Sequence, residues 1–164
     1  GEMGEDVFFE PSFRCEFGYN IKIGNHFYAN FDCVMLDPGG IEIGDNVGIS
    51  GATIYARKGI SIGENTCIGG NCKILDNDFH PIEAEARNQL LKDSKGGDSD
   101  LVPAKPVRIG KNCFIGCNSI ILKGTLLGDG CVVGAGAVVS GKFEENCVIA
   151  GNPAKVIRKL ERGV

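Results

Sequence analysis

The chain has 164 residues, enough for one domain with a real core, and a formal net charge of −4 with Gly 25, Pro 6 and Cys 8. That charge argues against a general nucleic-acid or anionic-membrane binder, and the low proline content excludes collagen and proline-rich disorder. No apolar run of about 18 residues is present, and GEMGEDVFFE lacks a basic, apolar leader. A soluble cytoplasmic protein without membrane insertion is expected. The eight cysteines then read as reduced thiols, and two histidines, His26 and His80, with no C-x-x-C pair supply no zinc site. No metal is expected.

In the N-terminal half, apolar residues recur at spacings of 20 and 19. Ile23, Ile43 and Ile62 are expected to stack on one face, Ala29, Ile49 and Ile68 on the next, and Met35, Tyr55 and Ile74 on a third. DPGG and ARKG read as small corner insertions. His26, inside NHFYAN, fits the repeat and reads as a surface or packing residue.

Between Ile74 and Ile109 the repeat lapses into DNDFHPIEAEARNQLLKDSKGGDSDLVPAKPVR, polar and carrying three prolines. Long loops leaving a rigid scaffold favour function. His80 stands near the start of this one. Its side chain titrates near neutral pH and suits general-base work, and Pro81 restricts its backbone to extended conformations.

From residue 109 the period is six. Ile109, Ile115, Ile121, Leu127, Val133 and Val139 mark it, with Cys113, Ser119, Thr125, Cys131 and Ala137 two residues before the last five. Residues two apart share one face of a strand, so each hexad is a very short strand with one small and one branched side chain inward. Glycines after the aliphatic residue turn the corner. Three such sides close a coil of about 18 residues, and coils stack roughly 4.8 Å apart as a β-solenoid. Cys33, Cys72, Cys113 and Cys131 fall at the small inward position, where a thiol acts as a small hydrophobe. LGDGCVVGAGAVV follows the hexad and lacks the strand–helix context of a phosphate loop. The chain leaves the repeat at NCVIAGNPAKVIRKLERGV, where a short basic helix over Ala154–Arg162 is expected to cap the open end.

The segments PSFRCEFGYNIKIGNHFYANFDCVMLD, HPIEAEARN, KPVRIGKNCFIG and GAGAVVSGKFEENCVIAGNPAKVIRKL resemble the hexapeptide-repeat acyltransferases, in particular the maltose, galactoside and nodulation-factor O-acetyltransferase group. The DNDFH segment and one additional coil are similar to acetyltransferases of surface-polysaccharide and sugar-nucleotide pathways. The resemblance implies an all-β, left-handed parallel β-helix formed as one domain over 1–164, with a loop insertion at about 76–107 and a cap at about 145–164. It also implies a homotrimer with active sites between subunits, acetyl-CoA as donor, and a sugar or glycan hydroxyl as acceptor.

By that resemblance His80 is the general base, and a backbone N–H near Gly116 and Cys117 stabilises the oxyanion. Asp76 or Asp78 is the candidate to orient the imidazole, with a backbone carbonyl as a further possibility. Asn30, Asp37, Tyr55, Arg57 and Arg87 are acceptor-side candidates. Phe114, Gly116, Cys117, Ala135, Ser140, Lys142, Lys155 and Arg158 are candidates for coenzyme A. Phe114 stands where the family carries tryptophan, and the insert after Arg87 is longer than usual. The additional coil, roughly residues 43–61, separates Asp37 from His80 and is expected to put Tyr55 and Arg57 in its place, with Asp37, Arg57 and Asp76 as a column of alternating charge. N-acetylation of an amino sugar, nucleotide sugar or antibiotic and a non-catalytic scaffold are the alternatives. Hydration chemistry of the γ-carbonic-anhydrase type would need three histidine ligands per zinc.

Overall fold

The computed structural model describes residues 1–92 and 100–161. Strands of two or three residues, separated by tight corners, wind through about seven turns of a solenoid. They align into three sheets of seven, eight and six strands, and every rung is parallel except the last of the second sheet. Corner one joins the first sheet to the second, corner two the second to the third, and corner three the third back to the first.

Alternation decides what goes inside. The first sheet buries Ile21 and Ile23, Ile41 and Ile43, Ile60 and Ile62, while Lys22, Glu42 and Ser61 point out. Each later hexad buries its small residue and its branched one: Cys113 with Ile115, Ser119 with Ile121, Thr125 with Leu127, Cys131 with Val133, Ala137 with Val139. Ser119 and Thr125 satisfy their hydroxyls on backbone carbonyls, Ser119 on Gly116 at 2.7 Å and Thr125 on Leu122 at 2.6 Å.

Corners need left-handed backbone, which glycine and asparagine supply most cheaply. Along corner one His26, Asn46, Asn65 and Asn112 all have φ between 54° and 57°. His26 is therefore a corner residue, exposed, with Nδ1 3.1 Å from Asp6.

The first two expected stacks hold, Ile23–Ile43–Ile62 and Ala29–Ile49–Ile68. The third is shifted by one residue. Met35 pairs with Ile54, and Ile54 with Ile74, so Tyr55 faces outward between Leu36 and Leu75. The cause is corner two of that coil, where Ser50 and Gly51 span what takes three residues, Asn30 to Asp32, one coil earlier. Gly51, at φ 56°, turns this shorter corner.

The C-terminal segment is a strand, Ala154–Lys159, rather than the expected helix; Arg162 lies outside the described residues. The chain reverses at Gly151–Pro153 and pairs antiparallel with Cys147–Gly151, covering the open edge of the second sheet. Branched Val156 and Ile157 suit that pairing. Among the described residues the helix, α1 (Ala84–Lys92), lies instead in the extruded segment.

Candidate active site

The extruded segment leaves corner three after Leu75 and returns at Val107. Its two ends form a small antiparallel stem: Asn77 bridges Ala104, Lys105 N–H donates to the Asp76 carbonyl at 2.8 Å, and Asp78 N–H donates to the Pro103 carbonyl at 3.0 Å. Asp76 is fully buried. Its Oδ1 accepts from Arg57 N–H at 2.8 Å, and its Oδ2 accepts from Lys58 N–H at 2.6 Å and Gly59 N–H at 2.8 Å. The stem is thereby rooted in the corner of the coil below.

His80 sits just beyond the stem, exposed. Its N–H donates to the Asp78 carbonyl at 2.7 Å across Phe79, which holds φ at 62°. A phenylalanine pays strain for left-handed backbone. Two contacts hold it there: its own N–H donates to Asn77 Oδ1 at 2.9 Å, and its ring lies 5.2 Å from that of Tyr55. On the far side, Pro81 is buried, and Arg87 Nη1 donates to the carbonyls of Pro81 at 3.0 Å and Ile82 at 2.7 Å. The histidine is thus held by tied backbone on both sides.

Neither candidate orienting carboxylate is uncommitted. Asp76 is taken up by backbone N–H groups and by Asn77 Nδ2 at 3.1 Å. Asp78 accepts from Lys123 Nζ at 2.6 Å, both side chains about a quarter exposed. The contact between His80 and Asp78 runs through backbone.

Asp37 lies two rungs below Asp76, about 10 Å by strand spacing, with Ala56 in register between them. The expected charge column is therefore corrected. Arg57 is one residue further along the corner, and a small apolar side chain occupies the intervening rung because Tyr55, not Ala56, pairs with Leu36 and Leu75. Asp37 is itself a buried cap, accepting from Phe17, Gly18 and Asn20 N–H groups at 2.9–3.1 Å. Burial pushes its pKa up, but those donors outweigh it and hold the carboxyl below its ordinary value.

The donor-side candidates occupy another edge. Phe114, 51% exposed, faces out from the second sheet; Gly116, Cys117 and Ala135 follow at corner two in successive coils. Asn30 lies on the same corner, three rungs lower. Ser140 is at corner three, Lys142 faces out from the first-sheet strand that follows it, and Lys155 and Arg158 are exposed on the terminal strand. Gly116 N–H is used in the ladder, donating to the Val133 carbonyl at 2.8 Å, so it is no oxyanion donor. Cys117 N–H donates to no other described residue. One chain therefore carries the candidate residues in two groups on opposite edges of the third sheet: His80, Tyr55, Arg57 and Arg87 on the side of corner three, and Phe114 in the second sheet with Cys117 and Ala135 at corner two.

Sequence reasoning missed Asn77, Phe79 and Lys123. Asn77 could have been read as a side chain able to cap the turn two residues on. Phe79 gives no signal, because its residue type argues against its backbone. Lys123 meets its partner across 45 residues of chain.

A solenoid of hexapeptide coils with one extruded histidine-bearing arm defines a class, and comparison with known proteins agrees. Residues 106–140 match the family model described as the hexapeptide repeat of succinyl-transferase. Nodulation protein L of Rhizobium meliloti is 36% identical over 156 residues, spanning 95% of this chain and 69% of that protein. The chain belongs to the hexapeptide-repeat acyltransferase family. Among solved structures, galactoside acetyltransferase in complex with coenzyme A superimposes with a TM-score of 0.68 at 30% identity, covering 98% of this chain and 65% of the other. An N-acyltransferase of Bacillus cereus in complex with dTDP and coenzyme A gives 0.81 at 21% identity, covering 98% and 84%, a likeness of fold. The chain spans about two thirds of the length of the relatives it matches.

Proposed function

We propose that this protein transfers the acetyl group of acetyl-CoA to a hydroxyl of a sugar or glycan, with His80 as general base. The observation that carries the reading is the backbone clamp on His80. Phe79 at positive φ and the Arg87 bonds to Pro81 and Ile82 fix the backbone that carries His80 without using its ring nitrogens.

The residues present fit the donor. Phe114 and Ala135 offer apolar surface to a pantetheine arm, and the exposed cations Lys155, Arg158 and Lys142 suit a phosphorylated nucleotide. The two groups support a trimer. Rotational symmetry with a heterologous interface brings corner two of one subunit to corner three of the next. Among the outward residues of the third sheet, Val34, Leu36, Ile120, Leu122 and Val138 are apolar and half-buried, and they share that face with Arg14, Thr53 and Lys73, whereas the first sheet presents Glu2, Lys22, Glu42 and Arg108.

In the reaction, His80 removes the acceptor proton as its oxygen attacks the thioester carbonyl. Cys117 N–H faces the developing oxyanion. As the C–S bond breaks, protonated His80 returns the proton to the departing sulfur. Tyr55 and Arg57 flank the acceptor; Asp76, Asp78 and Arg87 position His80 through backbone. Asp37 and Asn30 act away from the acceptor of their own subunit.

Thioester cleavage followed across sugars, nucleotide sugars and amino sugars tests this reading and separates O- from N-transfer. His80→Ala is expected to lower turnover about 10²–10⁴-fold with unchanged oligomeric state. Unchanged turnover would remove His80 from the chemistry.

A further inference from the structure

Three lysines stand above one another at corner three. Gly59 and Gly124 flank Pro106 in register, from Val107 N–H to the Gly59 carbonyl and Gly124 N–H to the Lys105 carbonyl, both at 3.1 Å. Lys58, Lys105 and Lys123 are therefore the preceding residues of three successive coils, with backbones one strand spacing apart, about 4.8 Å. A Cβ placed on Gly124 would lie 3.3 Å from Lys105 Cδ, so the rungs are close-packed. Arg108 and Lys142 face out two rungs apart on the adjoining edge of the first sheet.

Lys123 is matched by Asp78. Among the described residues no carboxylate lies within 4 Å of the charged ends of Lys58, Lys105, Arg108 or Lys142. Stacked like charges repel, and this ladder is embedded in a chain of net charge −4. Beside it lies a cavity of about 340 Å³ lined by Lys58, Gly59, Ser61, Pro106, Arg108 and Glu42. Cations gathered around a hollow that also holds a hydroxyl and a carboxylate suit a sugar carrying phosphate: the phosphate meets the ammonium and guanidinium groups, and Glu42 and Ser61 accept from sugar hydroxyls. The ladder is also the root of the catalytic arm. Lys105 is the returning strand of the stem, and Lys58 N–H binds the same Asp76 from which His80 departs four residues later.

We propose that the ladder of Lys58 and Lys105, with Arg108 beside it, binds the phosphate or diphosphate of the acceptor and so selects a phosphorylated sugar as substrate. The inference rests on the acyltransferase reading above and narrows its acceptor class. The other source of the same chemistry is the diphosphate of coenzyme A itself, which the test separates.

The test is calorimetric titration of the full chain with coenzyme A, then of the coenzyme-A-saturated protein with inorganic pyrophosphate, for wild type and Lys58→Gln/Lys105→Gln. Both lysines are exposed, and unchanged thermal unfolding confirms that the variant folds. Saturable pyrophosphate binding that weakens at least tenfold in the variant, with coenzyme A affinity held within twofold, is expected. Pyrophosphate binding that is absent in wild type or equal in the two proteins overturns the ladder as a phosphate site. Displacement of pyrophosphate by coenzyme A, with coenzyme A weakened in the variant, overturns the acceptor assignment in favour of the donor. Failure of wild type to bind coenzyme A overturns the acyltransferase reading, and the acceptor assignment with it, in a separate titration.

Discussion

The corner after Leu36 and the corner after Leu75 begin alike and end differently. Each opens with a fully buried aspartate, Asp37 or Asp76, whose carboxylate collects three backbone N–H groups from the corner one coil below. After Asp37, Pro38, Gly39 and Gly40 close the corner at once, and Gly39 comes so near the next coil that a Cβ would stand 2.2 Å from the Arg57 carbonyl carbon. After Asp76 the chain instead runs out into the stem, the His80 turn and α1. A carboxylate cap makes a corner self-sufficient. An insertion can then be carried there without loosening the solenoid, and the first residues of the insertion inherit a rigid base.

Replacing each aspartate is the strongest way to break this parallel. Asp37→Ala and Asp76→Ala each leave three part-buried backbone donors without their acceptor, and each is expected to cost about 2–5 kcal/mol in urea unfolding. Their kinetics should diverge. At temperatures where both variants remain folded, Asp76→Ala loses turnover because the root of the His80 arm is gone, while Asp37→Ala keeps it. Equal turnover in the two variants would show that the arm does not depend on its cap. A smaller effect tests the turn itself. Phe79→Gly removes the cost of positive φ but also the ring that rests on Tyr55. Stability should change little, while kcat falls about 10- to 100-fold through misplacement of the imidazole. A variant with wild-type kcat would mean that Phe79 is only a turn residue.

Much of the solenoid was legible because its determinants are local and repeated. From residue 109 to Val139 each corner has the same length, so one period of six assigns the inward positions there, including the buried thiols of Cys113 and Cys131; burial pushes the Cys113 thiol up to about 11. In the N-terminal half the corners vary, and one residue fewer at Ser50–Gly51 was enough to exchange Tyr55 for Ile54 in the core. The C-terminal strand was misread because Lys155, Arg158 and Lys159, at helical spacing, carry the same pattern as an edge strand whose side chains are nearly all exposed. For the site, His80 and its arm were visible as a lapse in the repeat. What holds the histidine was not. Asp76 acts on residues 17–19 positions earlier, and Arg87 acts on main-chain carbonyls, which leave no mark on residue type.

The smallest expected effect bears on the plain corner alone and asks whether its cap works by charge. Asp37 has its pKa held down because its backbone donors outweigh the burial that pushes it up. Its folded value is thus below its unfolded value, near 3.9 for an ordinary aspartate. The unfolded chain takes up the proton first as pH falls, so the contribution of Asp37 to stability is complete above that value. It is lost as pH drops from there through the lower folded value. The urea midpoint of wild type should therefore be flat on this account between pH 7 and about pH 5 and decline below about pH 4. Asp37→Asn keeps the shape of the cap, but its amide presents only one acceptor oxygen where the carboxylate presents two. It should lower the midpoint at pH 7 and make the acid decline shallower, so that the two curves converge towards pH 3. Parallel curves would mean that the corner is held by the shape of its backbone, with the negative charge of Asp37 contributing nothing that protonation can remove.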